Sequence, residues 1–239
     1  MRFKILFAAF ALFAGVFSSR VIAQQVETDQ AGARAQPEEK GIFQKETEPK
    51  SNFSFQLFYQ LYYFQDKDFY DKFFDHDYIA PVGISIGGYP IQNLGVNLNV
   101  AYAQRKGHSF GLLDGDTDEE SGEEVRLTLI PVELELVYRF DFLNEQALVP
   151  VVGGGGDWFY YKQKNEFSDD AEGNKSGYHA TAGLGILLDR LDPSSKLALK
   201  EYGIENVFLE LEARWAWMQT NDGFDFSGTG YSAGLLFEF

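Results

Sequence analysis

Several runs in the 239-residue sequence carry residue types that could do chemistry. Asp114-Gly-Asp116-Thr-Asp118-Glu-Glu120 places five carboxylates within seven residues, the hard oxygen donors that divalent cations take. As a calcium loop it fails, because Glu119 stands where glycine is needed at the sixth position and Val125 where glutamate is needed at the twelfth. Loose binding of divalent cations, bridging to lipopolysaccharide, is the chemistry left to it; a solvated acidic loop is the plainer reading. Gly153–Gly156 lacks the Lys-Ser/Thr and the following helix of a phosphate loop, so its glycines give strand curvature and room for bulky neighbours instead. A third set is Glu133, Glu135 and Arg139, with Glu210, Glu212 and Arg214. Each alternates with apolar residues, so each group of charges shares one face of an extended strand.

The elements that would position these residues begin after two preliminary segments. Met1–Ala23 opens with Arg2 and Lys4, continues through an apolar run from Ile5 to Phe17, and ends with Val21 and Ala23 at the −3 and −1 positions of a small-residue cleavage site. This predicts a secretory signal peptide removed after Ala23. Its thirteen-residue run is too short to cross a hydrocarbon core of about 30 Å. Removal takes the formal charge from −16 to −19, which excludes nucleic-acid binding through phosphate contacts and favours cations. There is no cysteine, hence neither a lipoprotein anchor nor a disulfide framework. Residues 24–52 are polar and charged and predict a disordered periplasmic leader.

From Phe53 onward the pattern has period two. Eight strands are expected: Phe53–Gln65, Ala80–Tyr89, Leu94–Gln104, Val125–Phe140, Leu148–Lys162, Gly177–Leu188, Asn206–Gln219 and Gly230–Phe239. In the fourth, the apolar phase shifts by one residue at Pro131, which predicts a bulge there. The connections alternate between long and short, as in a membrane barrel with short periplasmic turns and long outside loops. Asp189–Glu205 is the exception, and Pro193–Gly203 predicts a short helix within it, stopped by Gly203. Aromatics make up 16% of the residues, yet no stretch after residue 23 reaches 18 apolar residues, so no membrane helix is expected.

A soluble barrel would share the alternation but turn the charges outward. Ser232-x-Gly234-x-x-Phe237-x-Phe239 decides between them, because it resembles the C-terminal signal by which bacterial outer-membrane barrels are recognised by their assembly machinery. Residues 53–239 accordingly resemble the eight-stranded outer-membrane β-barrel family that includes the OmpA transmembrane domain, OmpX and OmpW. The resemblance is carried also by Ile130-Pro131-Val132-Glu133-Leu134-x-Leu136-x-Tyr138-Arg139-Phe140 and by Val149-Pro150-x-Val152-Gly153-Gly154-Gly155. It implies an all-β, eight-stranded antiparallel transmembrane barrel in the bacterial outer membrane, in contact with its lipids and lipopolysaccharide.

On that reading Glu133, Glu135, Arg139, Glu210, Glu212 and Arg214 form a salt-bridged plug in the lumen, which in a barrel of eight strands is just wide enough for side chains. Trp158, Tyr161, Trp215 and Trp217 belong to the interfacial aromatic girdles. His179 points into the lumen near the outer rim. Outer-membrane lipid A deacylases are barrels of similar size that use a His and a Ser two apart with an acidic partner; here Thr181 replaces the serine, and the sequence places no acid beside His179. The expectation is a protein without cofactor or catalytic residues, acting structurally or through outside loops such as Asp66–Tyr78. A narrow OmpW-like channel for small or apolar solutes is the alternative, and a lipid A-modifying enzyme the lesser one.

Overall fold

A computed structural model describes residues 53–239 except 68–69, 71–73, 75, 92, 111–119, 144–145, 166–169, 191–197 and 220–224. The expected signal peptide, the expected leader and the carboxylates Asp114, Asp116, Asp118 and Glu119 of the acidic run lie outside the described residues. The strands are β1 (Phe53–Phe64), β2 (Tyr78–Ile79), β3 (Val82–Ile91), β4 (Leu94–Phe110), β5 (Glu120–Arg139), β6 (Leu148–Asn165), β7 (Ala171–Leu187), β8 (Asn206–Met218) and β9 (Gly228–Glu238). The two-residue β2 only caps the end of β1. The other eight pair antiparallel in chain order, and β1 pairs with β9 from Ser54↔Glu238 to Phe64↔Gly228, so the sheet closes into a barrel without a free edge along that seam. Phe239 finishes the seam: its amide donates to the Phe53 carbonyl at 3.0 Å, and the two rings lie 5.8 Å apart.

Both turn types at the narrow end have a local cause. Asn93 adopts φ of 71° in the tight β3–β4 turn, a left-handed conformation that asparagine tolerates. The segment before β8 contains a helical turn at 198–201. Gly203, at φ of 80°, ends it, while Gly203 N–H donates to the Lys200 carbonyl and Ile204 N–H to that of Leu199, the double bond of a Schellman stop.

Alternation along each strand turns one set of side chains outward and the other into the lumen. Outward lie Leu57, Ile84, Leu98, Leu134, Leu136, Leu211 and Leu235, all strongly exposed, together with Tyr59, Tyr102, Trp158, Tyr178, Trp215, Trp217 and Tyr231 near the long-loop end. Inward lie buried Ser54, Gln60, Glu133, Glu135, Arg139, Asp157, His179, Thr181 and Arg214. A water-soluble protein does the reverse; this distribution suits a barrel wrapped in hydrocarbon.

Two sequence expectations need correction. Pro131 produces no bulge: the β5–β6 register runs unbroken from Val125↔Asn165 to Arg139↔Val151. Val125, Leu127 and Leu129 face the lumen, on the same side as Glu133 and Glu135, and are about 1% exposed. The apolar phase shift is a change in what fills the lumen, from charges to hydrocarbon, and the strand itself stays regular. Much of the expected loops Arg105–Glu124 and Gln163–Ser176 is strand as well. Beyond the apolar belt alternation stops, but pairing continues under polar contacts such as Lys106–Glu124 at 2.8 Å and Tyr160–Glu172 at 3.2 Å.

The lumen at the long-loop end holds one apolar tier. Strand residues Tyr62, Phe64, Ala103, Val125, Leu127, Leu129, Phe159, Tyr161, Ala216 and Met218 are joined there by Tyr70 and Phe74 from the β1–β2 connection and Phe226 from the β8–β9 connection. Tyr70 stacks on Phe64 at 3.8 Å, and Phe226 is wholly buried. Tyr62 donates its hydroxyl hydrogen to the Phe226 carbonyl at 2.6 Å and Tyr70 to that of Asp225 at 2.9 Å, so each ring's polar tip is satisfied within the packing. Arg105 ties the first connection down by donating to the Phe74 and Tyr78 carbonyls, both at 3.2 Å. Phe226, although outside any strand, is therefore a core residue. Phe226→Ala is expected to lower the unfolding free energy by about 3–5 kcal/mol in urea titrations of vesicle-inserted protein; a loss below about 1 kcal/mol would mean the ring is not packed as described.

Candidate functional site

The polar middle of the lumen is the densest concentration of chemistry in the described residues. Arg214, projecting inward from β8, is its centre. Its Nη1 meets the Glu133 carboxylate from β5, and its Nη2 donates to Asp157 Oδ1 from β6 at 2.5 Å. Asp157 Oδ1 also lies 2.7 Å from His179 Nδ1 on β7. His179 Nε2 faces Glu135 at 3.7 Å, while Thr181 donates its hydroxyl hydrogen to Glu135 at 2.5 Å. Asn99 donates to Glu133 at 3.2 Å. Five strands, β4 to β8, thus supply one chain of charge-assisted hydrogen bonds, the stronger kind.

The glycines of β6 make this arrangement possible. Gly153 and Gly155 share the inward face with Asp157. A Cβ on Gly153 would collide with the Glu135 carboxylate and come within 2.6 Å of the Thr181 hydroxyl. On Gly155 it would strike the Leu134 carbonyl and the Glu135 backbone. The run clears space for the Glu135 carboxylate of β5 and the Thr181 hydroxyl of β7, a use of glycine set by close approach.

Nearer the short-turn end lies a second cluster. Arg139 pairs with Glu238 at 3.1 Å, donates to the Tyr89 hydroxyl at 3.3 Å and lies 4.6 Å from the centroid of Phe208. Phe208 belongs to a small apolar tier with Val149, Leu187 and Leu236. The six residues expected to make one plug are therefore divided. Arg214 holds Glu133, and Glu135 joins through His179 and Thr181. Arg139 belongs to the other cluster. Glu210 accepts from Gln56 at 3.0 Å, and no hydrogen bond or ion pair joins Glu212 to the rest among the described residues.

Trp158, Trp215 and Trp217 face outward, each more than two-fifths exposed. Tyr161 does not. It is 8% exposed and packs 5.3 Å from Phe226, so its assignment to the girdle is corrected: it lies in phase with Asp157 and Phe159 on the inward face. Phe237 and Phe239 face outward from β9, with Ser232 and Gly234 inward. A side chain on Gly234 would meet the Leu57 carbonyl at 2.8 Å, so glycine there lets β9 close on β1.

Sequence reasoning placed no acid beside His179, whereas Asp157 is its nearest partner. The signal was the shared parity of Asp157, Phe159 and Tyr161, obscured by the four preceding glycines. Glu238, Tyr89, Gln56 and Asn99 were missed too, each a polar residue on an inward face. The Thr181 hydroxyl is committed to Glu135 and not to His179, so no hydroxyl–base contact of the nucleophilic kind forms. The arrangement holds five strands, β4 to β8, in register. Arg214→Met should leave Glu133 and Asp157 buried without their cation and cost about 3–5 kcal/mol in unfolding titrations. Adding Asp157→Asn should recover part of that loss, and strict additivity of the two would show them uncoupled.

No protein-family model matches the chain, and no curated protein matches its sequence. Solved structures do match. The outer membrane protein OprG of Pseudomonas aeruginosa aligns over 80% of this chain and 97% of its own, at 14% identity and a TM-score of 0.51. The N-terminal β-barrel domain of OprF from the same organism aligns over 80% and 98% at 15% identity and a TM-score of 0.48. Neisserial surface protein A aligns over 80% and 100% at 16% identity and a TM-score of 0.47. The OprG likeness concerns the fold. With the closed seam, the apolar outer belt and the charged interior, it gives the chain the fold of the eight-stranded outer-membrane β-barrels.

Proposed function

We propose that this protein is a sealed, non-enzymatic barrel whose role is to display a β-sheet outside the outer membrane. One observation carries the reading: β4 to β7 overrun the rest of the barrel. β3 stops pairing at Val82↔Tyr102 and β8 at Gly177↔Met218, while β4 continues to Phe110 and β7 begins at Ala171. The ten residues of β5 before Ile130 extend roughly 23 Å past the apolar belt at a tilt of about 45°. Beyond the Val125–Leu129 tier such an extension is not needed to hold a barrel in lipid, and it leaves the β4 edge at Ala103–Phe110 and the β7 edge at Ala171–Asn174 without a ladder partner among the described residues, which suits strand addition by a partner protein.

The filled interior supports display over conduction. A solute would have to displace both the aromatic tier and the Arg214 network. Glu135, Asp157, His179 and Thr181 lie beneath that tier, which also counts against lipid A chemistry at His179. The inward Ser232 and Gly234 and outward Phe237 and Phe239 present the C-terminal strand in a form suited to the assembly machinery.

In planar lipid bilayers the protein is expected to give no single-channel steps, and regular steps would overturn the sealed reading in favour of a narrow channel. Replacing 106–124 and 164–172 by tight turns should leave the barrel folded, judged by its mobility shift on boiling in SDS. Cells expressing the full chain are expected to gain adhesion to a protein-coated surface, and cells expressing the shortened form are not. Full adhesion by the shortened form would contradict the display role.

A further inference from the structure

We infer that the outward face of the projecting sheet carries a binding site for the phosphate groups of an outer-leaflet glycolipid, formed by Lys106, Arg126, Lys162 and Lys164. The inference rests on the long-loop end facing outside.

Register brings these residues together from three strands. Lys106 on β4 is the direct partner of Arg126 on β5, and Arg126 is the direct partner of Lys164 on β6. All three project outward, with Lys162 two residues nearer the barrel on the same face as Lys164. Like charges directly opposite destabilise a sheet, so three cations in one row are held at a cost unless an anion lies over them. Glu124 meets part of the need, at 2.8 Å from Lys106 and 3.2 Å from Arg126. Lys162 reaches only long, exposed pairings with Asp170 at 3.6 Å and Glu172 at 3.7 Å, which hold little. Lys164 is exposed and has no carboxylate partner among the described residues. In a chain of net charge −16, a face with this balance is a local exception that calls for an anionic ligand.

The height of the row selects the ligand. Tyr102, Ile130 and Trp158 stand at the upper limit of the apolar belt; Lys106 and Arg126 follow four residues further out on their strands, and on β6 Lys162 follows at four and Lys164 at six. Four residues at about 3.3 Å each, tilted by about 45°, raise the row roughly 9 Å above those side chains, into the headgroup layer. Between the two levels lie Gln104 and Thr128, which hydrogen-bond to each other at 3.4 Å, and the half-exposed Tyr160. Apolar belt, aromatic rim, hydroxyl and amide groups, then cations is the order that a lipid with acyl chains, sugar and phosphate presents. Lysine and arginine at such a surface give about fivefold in affinity each.

The test uses the full chain in phosphatidylcholine nanodiscs doped with bisphosphorylated lipid A or with its fully dephosphorylated form, the bound glycolipid being counted by native mass spectrometry. The bisphosphorylated form is expected to be retained and the dephosphorylated form not. The double variant Arg126→Gln/Lys164→Gln should lower retention roughly twenty-fivefold, and Glu124→Gln should raise it. Equal retention of both lipids, or no change in the double variant, would overturn the proposal. So would displacement by millimolar inorganic phosphate, which would mark a soluble-anion site. Labelling of a Lys164→Cys variant on whole cells by an impermeant maleimide checks the orientation separately. Without labelling the outside placement fails; with labelling but no retention, the lipid site alone fails.

Discussion

Hydrocarbon offers no hydrogen bonds, so every backbone amide and carbonyl that crosses it must find a partner within the protein. The remaining features follow from that constraint. It forces β1 onto β9 and makes the sheet a closed wall. Once the wall is closed, alternation has one meaning at each residue, either lipid or lumen. An eight-stranded lumen is too narrow to stay open, so what faces inward must pack as a core. The glycines at 153, 155 and 234 and the terminal Phe239 are details of closing that wall and fitting its contents.

The contents are layered. Six carboxylates, from Glu133, Glu135, Asp157, Glu210, Glu212 and Glu238, share the inward faces with Arg139, Arg214 and His179, and Arg105 and Lys175 lie on the inward faces nearer the long-loop end. Buried charge is tolerable only when paired and hydrogen-bonded, which is why Arg214 is held by two strands and Asp157 receives from two side chains. The aromatic tier above this network removes water from it and strengthens each contact. The same tier folds two connecting segments into the lumen, so what the sequence presents as loops Asp66–Tyr78 and Thr220–Thr229 supplies part of the core through Tyr70, Phe74 and Phe226.

The barrel was legible in the sequence wherever outward residues are apolar and inward ones polar or small, as in Leu94–Val100 or Leu209–Trp217. It was illegible where that contrast fails. Val125, Leu127 and Leu129 are apolar and inward, and beside an outward Leu134 they mimic a phase shift at Pro131. Tyr161 was misplaced for the same reason, since a ring at the rim reads as girdle whichever way it points. The strand extensions at 105–110, 120–124 and 171–176 are rich in polar residues and so read as loops. Asp157 was missed because four glycines erase the alternation that would have set its side. The charged residues Glu133, Glu135, Arg139, Glu210, Glu212 and Arg214 were located by parity alone, but which arginine serves which carboxylate depends on register between strands, and single-strand periodicity carries no register.

The central claim is that rings and aliphatic chains face lipid while charges face inward. The chain's three tryptophans, Trp158, Trp215 and Trp217, all lie on the outer face. Quenching of their fluorescence by lipids brominated along the acyl chain, in vesicles containing the purified barrel, tests this most directly. Strong quenching by brominated lipid with weak quenching by aqueous acrylamide is predicted; protection from the lipid quencher would contradict it.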